Sequence, residues 1–213
     1  MLDNFKLTFW DLGTYLTVGF FSFTLILYYA ISAFGFDLMF FLAECKDYSS
    51  VIVILLPIVF LFLGMLIEPF ANYFSKKLEN KCGLFKPKEN RNKAELDKLI
   101  EINLPNDNIK FVNKYRYCKA IVELKFPSSN HDLFLSRFGF YRSMSFVMAI
   151  LFIANIIIGE WSFVFLTAEI FIGFLFYIFF KRSQVFRNHM EQAVYYNYLA
   201  LTLASADKEN QVV

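Results

Sequence analysis

The order of apolar and polar positions along this chain is that of a polytopic membrane protein. Trp161–Phe180, WSFVFLTAEIFIGFLFYIFF, carries one charge, Glu169, and ends at Lys181-Arg182. About 20 helical residues at ~1.5 Å each cross a hydrocarbon core of ~30 Å. Leu12–Phe36 runs uncharged for about 25 residues, long enough to span with tilt. Residues 51–68 form a third apolar stretch, interrupted by Pro57 and closed by Glu68-Pro69. Ser143–Ile158 is the fourth, extended by Phe138–Tyr141. The pattern predicts an all-α fold with four transmembrane helices, arranged as hairpins at 1–69 and 143–180. An α-helical insert, 70–142, lies between the hairpins, and a helical tail, 181–213, follows them.

Asp37–Ser50 is expected to be a loop, and Gly159-Glu160 a tight hairpin. Within the insert, Leu96, Leu99 and Ile100 recur at helical spacing and predict a short helix over 90–103. Val112, Tyr115, Cys118 (or Lys119) and Val122 share one face of a second helix over 108–126. Pro127-Ser128-Ser129 ends it. Ser128 or Ser129 is placed to cap the next helix, with Asp132 in its first turn. That helix continues through Arg137 and Arg142 into the third span. Past Lys181-Arg182, Phe186, Met190, Ala193, Asn197, Ala200 and Ala204 follow at spacings of three and four, the seam of a coiled coil. Such a seam packs against the insert or between protomers, and residues 207–213 are expected to fray.

Composition sharpens this picture. Of 213 residues, 57% are hydrophobic and only 19% charged, more apolar than a soluble domain of this size. The net charge of +2 argues against direct nucleic-acid binding. Where the charge lies matters more: of 21 Lys and Arg, Lys46 alone falls in the first and third loops. The positive-inside rule then predicts cytoplasmic termini, a cytoplasmic insert and an even number of spans. The three cysteines, Cys45, Cys82 and Cys118, are scattered and form no disulfide framework.

Candidate functional residues fall into two groups. Glu169 is a carboxyl inside a span, where an ionisable group faces protein or a cavity. Asn155, Tyr28, Tyr29 and Pro57 lie at comparable depth. Pro57 frees the Val53 carbonyl, a possible acceptor for a protonated Glu169. These residues fit a helix–helix hydrogen bond, an ion or proton path, or an oligomer contact. The second group is basic: Arg137, Arg142, Lys181, Arg182 and Arg187, with Lys76 and Lys77 on the insert. Anionic lipid is the simplest partner for such a belt, and an acidic peptide or nucleotide a sharper one. Glu68 is placed to pair with it.

Chemistry beyond this is thin. Cys82, Cys118, His131 and His189 match no zinc-finger spacing. Asp107, Glu123 and Lys125 loosely echo an acidic–x–Lys nuclease core, which requires strands where helix is predicted. No nucleophile-elbow, zincin, phosphate-loop or dinucleotide signature is present, and no cofactor is implied.

The layout of two hairpins, a basic insert of about 70 residues and a basic helical tail resembles small four-span membrane proteins of bacterial antiphage defence systems, such as the membrane component of Kiwa-type operons. The first expectation is a non-enzymatic, oligomeric inner-membrane protein whose insert and tail bind a cytosolic partner and whose spans sense membrane disturbance; the resemblance implies defence against phage as its setting. A pore lined by Glu169 is the alternative expectation, and a membrane-anchored enzyme with its site in the insert is another.

Overall fold

The computed structural model describes residues 9–35, 37–82, 85, 91–103, 113–125, 131–158 and 162–210. Every regular element among them is helical: α1 (Phe9–Phe34), α2 (Leu38–Asp47), α3 (Ser49–Lys81), α4 (Arg91–Asn103), α5 (Lys114–Lys125), α6 (His131–Ile158) and α7 (Phe163–Asn210). Four of these, α1, α3, α6 and α7, are long and apolar enough to cross a membrane. The chain divides into two compact units, Met1–Lys86 with Ser136–Ser183, and Pro87–Leu135 with Gln184–Val213. The first gathers all four apolar stretches; the second gathers the insert helices and the tail.

In the first unit α1 lies along α3. The approach is made by glycine: Gly19 faces the Phe60 backbone, and Gly64 the Tyr15 backbone, so closely that no Cβ fits at either. Small residues let membrane helices meet at this range. Val18, Met144 and Val147 form the buried centre, with Leu25, Ile67, Phe140, Met148 and Phe179 around them. Phe74, Phe85, Phe146, Phe176 and Phe180 stack edge-on or tilted beside it, at centroid distances of 4.9 to 6.4 Å. The outward faces are apolar as well, for example Val53, Ile54 and Phe62 on α3. A lipid-facing surface has that composition.

Two local departures from the sequence reading occur here. The expected loop over 37–50 contains α2. Gly35, at φ 65°, ends α1, and Asp37 caps α2 by accepting from the Met39 and Phe40 amides at 2.9 and 3.1 Å. A turn-forming aspartate two residues after a left-handed glycine starts a helix here instead of an open loop. The second span was expected to close at Glu68-Pro69, yet α3 passes through both prolines to Lys81. Proline removes one backbone bond, but Gly64, Ala71 and Ser75, on either side of Pro69, are all buried. Packing on both flanks holds the helix where propensity alone breaks it.

The second unit has its own core. Leu96 and Ile100 of α4, Cys118 and Val122 of α5, and Val194, Tyr195 and Tyr198 of α7 are buried together. Cys118, not Lys119, takes the inward position on α5, while Leu99 is exposed. The tail stripe differs from the expected seam. Phe186, Met190, Val194, Tyr195 and Tyr198 are buried, Ala193 and Asn197 only partly, and Ala200 and Ala204 are exposed. A strict three–four spacing drifts around a straight helix, and the tyrosines fill space that alanines leave empty. The helix persists to Asn210. Val112, Ser128, Ser129 and Gly159-Glu160 lie outside the described residues, and so does Asp107.

Candidate functional site

The polar residues of the four-helix unit gather into two clusters. The first joins α1, α3 and α6. Tyr15 Oη donates to Glu68 Oε2 at 2.6 Å, and Arg142 Nη2 donates to Glu68 Oε1 at 2.9 Å. Arg142 Nη1 donates to Asn72 Oδ1 at 3.2 Å, and the guanidinium stands 4.7 Å from the Phe138 ring centroid. Glu68 and Asn72 are four residues apart, so they present both acceptors on one face of α3. Arg142 is 8% exposed. Its planar fork suits two acceptors at once. The Glu68 side chain is 36% exposed.

The second cluster joins α1, α6 and α7. Asn155 Nδ2 donates to Glu169 Oε1 at 2.7 Å. Tyr29 Oη lies 3.1 Å from both Asn155 Oδ1 and the Leu151 carbonyl oxygen, and its single proton serves one of them at a time. Glu169 is 7% exposed, and its Oε2 is buried with no hydrogen-bond partner. A charge at this depth costs ~3 kcal/mol or more. No Lys, Arg or His occurs over residues 7–45, 47–75 or 143–180, so the spans supply no cation to it.

Along α1 and α6, apolar Val18, Met144 and Val147 form the buried centre between the clusters. Ser22, Ser143 and Ser145 are buried on this stretch too; Ser22 bonds back to the Val18 carbonyl and Ser145 to that of Arg142, both at 2.7 Å. No polar chain connects the clusters among the described residues.

The sequence candidates are thus sorted. Asn155 and Glu169 meet directly, and Tyr29 joins them. Tyr28 stays half exposed with its ring 5.3 Å from that of Tyr29, and Pro57 lies on the exposed side of α3. The Val53 carbonyl is not the group that Glu169 engages. Of the basic belt, Arg142 is not on the surface but turned inward onto Glu68. Lys76, Lys77, Arg137 and Arg182 are exposed. Lys77 and Lys181 stand 5.8 and 5.9 Å from the Tyr73 and Tyr177 ring centroids. Arg187 belongs to the second unit and is partly buried. Sequence reading missed Tyr15, Asn72 and Gly64. The i, i+4 spacing of Glu68 and Asn72 was the available signal for one of them.

In the second unit the tyrosines and Cys118 serve the core. Tyr115 Oη lies 2.9 Å from His131 Nε2. Burial, with Glu191 and Glu123 nearby, pushes the Tyr115 phenol up to about 12. Burial also pushes the Cys118 thiol up to about 11, an inert thiol and not a ligand-ready thiolate. His189 packs its ring against Phe134 and Phe186. Glu123 is exposed on α5 and pairs with Lys119 at 3.3 Å, so it sits on a helix and not on the strand that a nuclease core needs. Lys114 pairs with Glu101.

No family model, curated protein or solved structure matches this chain. The functional reading therefore rests on charge, burial and the geometry of the two clusters.

Proposed function

We propose that this is a non-enzymatic, oligomeric protein of the bacterial inner membrane that anchors a cytosolic partner and responds to membrane disturbance, in the setting of antiphage defence. Both termini and the second unit are cytoplasmic in this reading. The bias of Lys and Arg away from the first and third loops supports that orientation. One observation carries the choice of anchor over pore. The polar side chains of the spans gather into two separate clusters, and apolar Val18, Met144 and Val147 form the buried centre between them, with no polar chain joining the clusters among the described residues. Exposed Lys76, Lys77, Arg137 and Arg182 supply the contact with anionic headgroups, worth ~1 kcal/mol each. On the second unit, Ile102 at 77% and Leu124 at 85% exposure are apolar side chains for a partner to cover.

Isolation in mild detergent from native-level expression, with native mass spectrometry, tests this. The expected species is a homo-oligomer carrying a stoichiometric soluble protein. That protein should be lost in the variant with Ile102→Glu and Leu124→Glu, while the oligomer stays intact. A bare oligomer that conducts ions across planar bilayers, with selectivity altered by Glu169→Gln, overturns the reading in favour of a pore.

A further inference from the structure

Glu169 is buried in apolar surroundings, and only half of its carboxyl is satisfied. Asn155 donates to Oε1, while Oε2 is buried without a partner. A buried carboxylate is normally balanced by a cationic side chain or by several donors. Neither is present among the described residues. Lys, Arg and His are absent from residues 7–45, 47–75 and 143–180. The one amide donor is already in use.

The groups around it are specified by the packing. From α1 comes Tyr29, with the half-exposed Tyr28 ring 5.3 Å from its own. From α6 comes Asn155, the one strongly polar side chain between Ser145 and Ile158. On α3 there is no titratable residue between Ser50 and Glu68, and on α7 the next one is Tyr177, two turns further on. Among the described residues, the polar groups that hydrogen bonds link to this carboxyl are the Asn155 amide and, through it, Tyr29 Oη, which also lies 3.1 Å from the Leu151 carbonyl oxygen. Hard, neutral oxygens beside a single carboxylate suit a small monovalent cation, and they offer nothing to a soft metal.

We propose that Glu169, Asn155 and Tyr29 form an intramembrane binding site for a small monovalent cation, H⁺ or Na⁺, which supplies the countercharge the fold lacks. Both ions share the chemistry of neutralising one carboxylate. H⁺ does so on Oε2 itself, and Na⁺ does so by drawing in the neighbouring oxygens. This site is independent of the partner-anchoring function: either can fail without the other.

Thermal unfolding of wild type and Glu169→Gln, purified in detergent, decides it across pH 5–9 and across NaCl against choline chloride. A bound cation stabilises the state that binds it. The wild-type midpoint should rise by several degrees as its ion is added, and the Gln variant should stay flat after subtraction of the shared background. A midpoint that follows pH alone assigns H⁺. One that follows Na⁺ but not choline assigns Na⁺. Dicyclohexylcarbodiimide attacks the protonated carboxyl, so labelling of Glu169, read by peptide mass spectrometry, should rise as the pH falls if the ion is H⁺, and should fall as Na⁺ is added if the ion is Na⁺. Wild-type and Gln midpoints that run parallel through both series overturn the proposal.

Discussion

Gly19→Ala should force α1 away from α3. A Cβ at position 19 would sit 1.7 Å from the Phe60 carbonyl oxygen, with the carbonyl carbon at 2.5 Å and Cα at 2.8 Å. All three atoms are backbone, so no side chain can rotate away. Restoring an ordinary contact requires the helices to part by roughly 1.5 Å, in a packing that tolerates little. The Tyr15–Glu68 bond of 2.6 Å joins the same two helices and would be stretched out of hydrogen-bonding range. Overpacking of this kind costs ~1–3 kcal/mol, and sometimes more. Alanine returns up to ~1 kcal/mol through helix propensity. A net loss of about 1–2 kcal/mol is expected, and Gly64→Ala, 2.1 Å from the Tyr15 carbonyl oxygen, should behave alike. Gly13 and Gly139 have nothing within 4 Å of the same position, so alanine there should be neutral or stabilising. Reversible unfolding by SDS in mixed micelles measures all four. Gly19→Ala as stable as Gly13→Ala would refute the close-approach argument.

Arg142→Met leaves Glu68 with Tyr15 alone and should cost about 3 kcal/mol, the lower end for breaking a buried pair because Glu68 is partly exposed. The double variant Glu68→Met, Arg142→Met should recover most of that loss in the same unfolding assay, and strict additivity of the two single losses would exclude a coupled pair. Tyr29→Phe deletes one intramembrane hydroxyl and should cost about 0.6 kcal/mol, at most ~1.7; a larger loss would mean that the ring, not the hydroxyl, was disturbed. Cys118 has its thiol raised to about 11 by burial, so the native state favours the protonated form. Its contribution to stability is intact below pH 9 and is lost as the pH rises towards 11 and the unfolded thiol ionises, by roughly 2–3 kcal/mol. Cys118→Ala should flatten that part of the alkaline unfolding curve, and an unchanged slope would count against the buried thiol. At pH 8, maleimide should label exposed Cys82 quickly and leave Cys118 unlabelled until the protein unfolds.

The spans were legible because twenty apolar residues in a row have few other uses. The helices of the insert were legible from the spacing of Leu96, Ile100, Cys118 and Val122, which reappear as one core. What escaped was set by tertiary contact. Pro69 signals a helix end on local grounds, and only the burial of Gly64, Ala71 and Ser75 on its two sides overrides it. The tail seam was drawn through Ala200 and Ala204, because spacing carries no information about side-chain volume; Tyr195 and Tyr198 hold the buried positions. Glu68 was placed with the basic belt, but which arginine it meets depends on how the helices face one another. Arg142 and Arg137 sit five residues apart on α6, and one is buried while the other is exposed. Glu169 and Asn155 stood out as polar residues in apolar spans. That they touch needed the fold.

Glu68 is synthesised 74 residues before Arg142. At ~5–20 residues per second, that interval lasts about 4–15 s. During it α1 and α3 hold the glutamate without its arginine, and Tyr29 waits likewise for Asn155. The first hairpin is therefore an assembly intermediate with two unmatched polar faces, a substrate for whatever insertion factor shields helices from lipid. Stalled nascent chains should record this, crosslinking from position 72 to a neighbouring protein when truncated before residue 142, and to α6 once Arg142 has emerged.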